Sequence, residues 1–376
     1  MNKETFCSLP FTEIFLGPDG YVKTCCSASI ALGSLHLNSI DDLLSNNIAH
    51  DIRQHILDGK WHPSCEQCKR QESQNARSER DRYFKKFQNE FGNVDSSFFK
   101  LKRLDLRWSN TCNLSCTYCY EYFSSKWAQI KGIKVNTIKD ENENSLFLMI
   151  EKNKDSIENI LLLGGEPLLQ KQNQRLAEVI TDRKFYILTN LAVPLESNQI
   201  AQTLINERDS NWGVSFETVG DRYEYVRHGA SWDLFKKNVK YIQEKTNNSL
   251  DAHSLYSIYS AFNLVEFYEF ITENKIKNVF WNLLESSGTN ASASVLHLSP
   301  KLKQKAIEEI EQCEELFPDA PGLEWLLNFK NNLCNQTVST NKSFVREINL
   351  LETRLLTDKI LKFSDLWPDV WELLQK

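Results

Sequence analysis

Apolar and polar positions follow two different rhythms along this chain. Between about 98 and 300, short apolar runs of strand length occur at 101–107, 157–163, 184–189, 211–217, 252–258 and 278–284. Between them lie stretches whose apolar residues recur at helical spacing, at 144–153, 174–180, 230–244 and 266–273. Repeated strand–helix units predict a parallel sheet covered by helices. Ahead of this block, Asp19-Gly20 sits between two apolar pairs and predicts a hairpin turn. Helical spacing follows at 39–44 and 48–57. Beyond it, Ser299-Pro300 supplies a cap and a first-turn proline for a helix over 301–316. Further helices are expected at 322–333 and 344–356, before a tail that carries Trp367 and Trp371. Three regions result: 1–95, 98–300 and 301–376.

Composition changes this picture little. With 376 residues, 41% hydrophobic and 25% charged, the chain has ordinary globular character and enough length for two or three units. No apolar run approaches the roughly 18 residues of a membrane helix, so no membrane is expected. The start of the chain lacks the basic region and apolar run of a signal peptide, which places the protein in the cytoplasm as an expectation. A net charge of −6 disfavours a nucleic-acid backbone as the main partner.

The cysteines change more. There are ten, and Cys7, Cys25, Cys26, Cys65, Cys68, Cys112, Cys116 and Cys119 all fall in the first third. Clustered thiols in a reducing compartment point to metal ligation. Cys313 and Cys334 stand alone in helical stretches and read as small hydrophobic residues or free thiols. Cys112, Cys116 and Cys119 have C-x3-C-x2-C spacing in one loop after the apolar run at 101–107. Three soft ligands hold a corner of an iron–sulfur cubane and leave one iron open. A zinc knuckle completed by a distant fourth ligand has the same spacing. About 45 residues on, an apolar run ends in Gly164-Gly165-Glu166-Pro167. Its glycines allow close backbone approach, and its carboxylate can receive an ammonium group.

This pair of motifs resembles the signature of radical S-adenosylmethionine (radical SAM) enzymes. The resemblance implies that Cys112, Cys116 and Cys119 bind a 4Fe–4S cluster whose open iron chelates SAM. It makes Tyr118 the aromatic residue before the last cysteine and gives Gly164, Gly165 and Glu166 to the SAM amino group. It also implies the family fold, a partial (β/α)6 barrel within the α/β class, with its site at the C-terminal strand ends. Thr189-Asn190-Leu191 resembles the family's Thr-Asn-Gly, with leucine for glycine. Ser215-Phe216-Glu217 resembles Ser-x-Asp, with glutamate for aspartate, and Arg227 follows at the expected distance. Asn190, Ser215 and Arg227 are therefore expected at the cofactor, Ser215 and Arg227 at the SAM carboxylate and ribose. Arg227 alone would read as a surface ion pair. Glu217, His253, Tyr256, Trp281, Asn282 and Glu285 lie on or near strand ends and are candidates to line a substrate pocket, with packing or a satisfied polar group as the plainer role of each.

In the N-terminal region, Cys7-x2-Pro, Gly20-x4-Cys25 and Cys65-x2-Cys68 resemble half of a SPASM domain, called a twitch domain. That resemblance implies a second 4Fe–4S cluster on Cys7, Cys25, Cys65 and Cys68, with Cys26 the spare that can exchange roles with Cys25. A zinc ribbon is the plainer alternative. The module comes before the barrel here, whereas it mostly follows it. His50, His55 and His62 read as solvated or capping histidines. Arg70, Arg77, Arg80, Arg82, Lys85 and Lys86 read as a solvated helix, with an anion-binding rim as the sharper alternative. The expected activity is reductive SAM cleavage followed by hydrogen abstraction, with the second cluster transferring electrons. A flavodoxin or ferredoxin is the expected electron donor. The expected substrate is a peptide or protein side chain, with a carbohydrate or nucleotide-linked small molecule next. The alternative is a non-catalytic iron–sulfur or zinc-binding interaction protein.

Overall fold

A computed structural model describes residues 5–73, 78–84, 91, 94–134, 138, 140–206, 210–246, 250–284, 291–334, 341–355 and 361–376. Arg77, Lys85, Lys86 and Glu285 lie outside these residues, as does the Cys334 side chain. The chain divides into two compact units, 1–111 with 134–187 and 207–210, and 112–133 with 188–206 and 211–376.

In the first unit, the Asp19-Gly20 turn closes an antiparallel hairpin of β1 (Glu13–Leu16) and β2 (Tyr21–Lys23), with Phe15 opposite Lys23. Gly20 takes φ +77°, which only glycine adopts without strain. A short β3 (Gly33–Ser34) pairs with β2. On its other edge β1 runs parallel to β4 (Arg103–Leu106), which continues into β5 (Asn159–Leu162) and β6 (Phe185–Thr189). The local pattern of apolar residues gives no sign of the β1–β4 pairing. Side chains alternate across it, so Ile14, Leu16, Leu104 and Leu106 enter the apolar core. Trp108 extends that core, stacked on Phe147 with ring centroids 5.1 Å apart and its indole donating to Asn173.

In the second unit, β7 (Ser210–Ser215), β8 (Leu250–Tyr256) and β9 (Asn278–Leu283) are parallel neighbours. Phe216, Phe235, Phe267 and Phe270 form the aromatic core behind them. All six strands expected in the central region are present, three parallel strands in each set. Every helix expected between them is also present, within a few residues. The short helices Ser125–Ile130, Gln199–Asn206 and Gly220–Val226 are additional. Pro300–Leu316, Leu323–Cys334 and Asn341–Leu355 form the helical extension. Cys313 is fully buried there, its thiol pushed up to about 12 by burial, as a small core residue. Tyr256 and Trp281 are core as well, Tyr256 stacked on Phe329 and the Trp281 indole donating to Tyr268.

Candidate functional site

The cysteine loop is held by its own neighbours. The Ser115 amide donates to the His228 carbonyl at 3.0 Å and the Thr117 amide to the Val226 carbonyl at 2.8 Å. Residues 226–228 thus act as a short ladder for the loop. The other side is held by the start of helix Ser125–Ile130. There Ser124 donates to the Leu114 carbonyl, Ser125 exchanges hydrogen bonds with the Cys112 backbone, and the Trp127 indole donates to the Cys116 carbonyl. Asn190 donates to Asn113 at 3.0 Å and its amide lies 3.8 Å from Cys112 Sγ. These serines and Trp127 were legible only as an N-cap before a short helix, so the sequence reading passed over them.

Arg227 is not at the surface. Its Nη2 donates to Glu217 Oε2 at 2.7 Å, and Tyr118 Oη donates to the same oxygen at 3.2 Å. Glu217 is fully buried and Arg227 is 5% exposed. Arg227 Nε and Glu217 Oε1 have no hydrogen-bond partner among the described residues. Burial pushes the Cys116 thiol up to about 11, with Arg227 lowering it and Glu217 raising it. Burial pushes Cys119 and Tyr118 up as well. Ser215 closes β7, half-buried, opposite His253 on β8.

Within the first unit, Gly164 and Gly165 lie against the segment that feeds the cysteine loop. A Cβ on Gly165 would stand 2.3 Å from the Thr111 carbonyl oxygen, and one on Gly164 would stand 3.2 Å from that of Ser109. Gly164 also takes φ +115°. The close approach these glycines permit is therefore to the chain itself. The Glu166 amide donates to the Thr111 carbonyl at 2.7 Å, one residue before Cys112, and its buried carboxylate caps the Leu168 amide.

The N-terminal cysteines share one environment. Burial is the largest effect on Cys7, Cys25 and Cys65 and raises all three, Cys65 to about 11. Cys7 feels the charges of Cys65 and Cys68, and Cys25 that of Glu13 and then those of Cys7, Cys26 and Cys68. Cys26 is pushed up to about 12 by burial, then by Glu79, Glu13 and Asp105. Those carboxylates belong to a buried charged group that the sequence reading missed. Glu13 Oε1 lies 2.6 Å from Arg103 Nη1, whose Nη2 lies 3.3 Å from Glu79. Burial raises the Glu13 carboxyl to about 8 despite Arg103. Strand alternation puts a charge at positions 13, 103 and 105 between apolar ones, a signal hidden because each strand is only four residues long.

All nine described cysteines are free thiols. Among the described residues, one group brings three ligand atoms mutually within 4.8 Å, namely Asp51, His55 and His62. The histidine group does not suit a metal. His62 Nδ1 accepts from the Ser64 amide at 3.0 Å, so Nε2 keeps the proton it shares with Asp51. A metal on Nε2 would require an anionic ring. His62 is a cap, while His50 contacts Ser96.

Residues 106–271 match the family described as the radical SAM superfamily, and residues 7–69 match an iron–sulfur cluster-binding domain, SPASM. No curated protein matches the chain. A solved structure described as native anSMEcpe with bound AdoMet and Kp18Cys peptide is 17% identical, covering 65% of this chain and 64% of its own, with a TM-score of 0.41. This chain therefore spans just under two thirds of that one. Streptococcus suis SuiB bound to S-adenosylmethionine is 18% identical, covering 73% and 60%, with a TM-score of 0.42. No helix among the described residues is long and apolar enough to cross a membrane.

Proposed function

We propose that this chain, whose residues 106–271 match the radical SAM superfamily and whose residues 7–69 match a SPASM iron–sulfur domain, uses 4Fe–4S clusters and S-adenosylmethionine to modify a peptide or protein side chain by hydrogen abstraction. Cys112, Cys116 and Cys119 hold the catalytic cluster, with Asn190 and residues 226–228 fixing the loop around them. When bound, the cluster and SAM supply a 5′-deoxyadenosyl radical that takes a hydrogen atom from the substrate. The buried thiols give up their protons on ligation, because the thiolate is the ligand and burial keeps it protonated otherwise. Arg227 Nε and Glu217 Oε1 are buried without hydrogen-bond partners among the described residues, a setting that suits the polar end of SAM. Gly164 and Gly165 let the Glu166 turn sit on Thr111, next in sequence to the first ligand.

Cys7, Cys25, Cys65 and Cys68 hold the second cluster. Four thiolates leave no iron open, which suits electron transfer, with a flavodoxin or ferredoxin as the outside donor. The observation that carries the reading is the three-thiol loop, framed by residues 226–228 and backed by a buried ion pair.

Anaerobically purified protein is expected to hold about eight irons and to form 5′-deoxyadenosine with SAM and dithionite. Cys116→Ala abolishes that product. Colourless, zinc-loaded protein or unchanged cleavage in Cys116→Ala overturns the proposal.

A further inference from the structure

One guanidinium is tied at once to three stretches of chain that each carry a cysteine of the N-terminal set. Arg80 Nη1 donates to the Phe6 carbonyl at 3.1 Å, and Phe6 precedes Cys7. Arg80 Nε donates to Glu72 Oε1 at 2.8 Å and Nη2 donates to Oε2, a bidentate fork. Glu72 belongs to the helix Glu66–Ser73, which carries Cys68. The guanidinium carbon lies 5.4 Å from the centroid of the Trp61 ring, four residues before Cys65. Ser78 donates to the same Glu72 oxygen, closing the fork on its outer side.

Arg80 departs from the solvated helix expected over these residues. Arg70 and Arg82 are exposed, but Arg80 is 8% exposed. An arginine is immobilised and buried only where the bonds made offset its rotamer entropy and desolvation. The bonds to Phe6 and Glu72 and the contact with Trp61 each run to a stretch that carries a cysteine.

We infer that Arg80 is the positioning residue of the N-terminal cluster: it fixes Cys7, Cys65 and Cys68 in one frame and, balanced by Glu72, sets the charge that the cluster experiences. The inference rests on the proposed second cluster. Arginine suits the task because its planar fork meets a carboxylate, a carbonyl and a ring face together, which a lysine cannot. The charge lies close to the ligands as well, since the guanidinium sits on the carbonyl of Phe6, the residue before Cys7. A nearby cation stabilises the reduced cluster, which carries one more negative charge, and so raises its reduction potential. A nearby carboxylate does the reverse.

The test uses the full chain with Cys112, Cys116 and Cys119 all changed to Ala, so that only the second cluster remains. The protein is reconstituted anaerobically with iron and sulfide and titrated redox-wise by electron paramagnetic resonance. Arg80→Gln is expected to move the midpoint potential below the background, and Glu72→Gln to move it above. Arg80→Lys, which keeps the charge without the fork, stays near the background potential but loses iron to a chelator several-fold faster. Equal potentials in the Gln variants and the background overturn the inference. If Arg80→Gln takes up no cluster, the sign of the shift in Glu72→Gln decides. A triple-alanine background that takes up no cluster at all overturns the second-cluster reading itself.

Discussion

Arg227 meets Glu217 across 2.7 Å with both side chains buried, and Tyr118 of the cysteine loop meets the same carboxylate oxygen. Glu217 lies two residues beyond β7, and Arg227 ends the helix Gly220–Val226. The carbonyls on either side of Arg227 accept the Ser115 and Thr117 amides. The ion pair therefore fastens a strand end to the stretch of backbone that frames the cysteine loop.

Breaking the pair from one side leaves a buried charge without compensation. Arg227→Met should lose about 3–5 kcal/mol in anaerobic urea denaturation. The Glu217→Gln/Arg227→Met double variant should lose clearly less than the sum of the two single changes. Additive losses would show that the pair is not coupled.

Leu191 occupies the place of the family's glycine and keeps a glycine-like backbone, with φ +52° and its side chain fully buried. Strain of about 1–2 kcal/mol competes with burial, and removing a buried leucine costs about 2–5 kcal/mol. Burial wins, so Leu191→Gly should be less stable by about 2 kcal/mol. Equal or greater stability in thermal unfolding would show that strain dominates.

Gly165→Ala places a methyl group 2.3 Å from the Thr111 oxygen. Residues 110–111 must shift, and the cysteine loop begins at the next residue. Iron analysis should find about four irons per chain, the second cluster being retained and the first lost. A full complement of iron would refute this role for the glycine.

His253 is drawn down to about 4 by burial, against an ordinary 6.5. The folded state therefore binds fewer protons than the unfolded state between those values. Its contribution is complete above 6.5 and is lost as pH falls towards 4. Glu13, raised to about 8, works in the opposite sense over this range, so the test is the difference between proteins: from pH 7 to pH 5 the urea midpoint of His253→Gln should rise relative to that of the unaltered protein. Identical slopes would remove His253 from the pH response.

The six central strands were legible because each joins an apolar run to a helix of matching period. The three short helices were missed for want of length, since 6 to 8 residues carry too few turns for a period to register. Parallel pairing of β1 with β4 joins residues about 90 apart, Glu13 with Arg103, and no local pattern encodes it. The cysteines declared themselves by spacing. Arg80 did not, because a basic helix reads as solvated until the Glu72 carboxylate and Phe6 carbonyl that bury it are in place. Arg227 was placed near the cofactor by motif, while its partner Glu217 stood out in sequence only as a departure from aspartate.

The central claim is a cubane held by Cys112, Cys116 and Cys119 alone, with the fourth iron left for SAM. Electron–nuclear double resonance on the reduced protein with SAM carrying a nitrogen-15 amino group tests it most directly. The account predicts hyperfine coupling between that nitrogen and the cluster, lost in Cys116→Ala. Absence of coupling in protein with full iron content would contradict it.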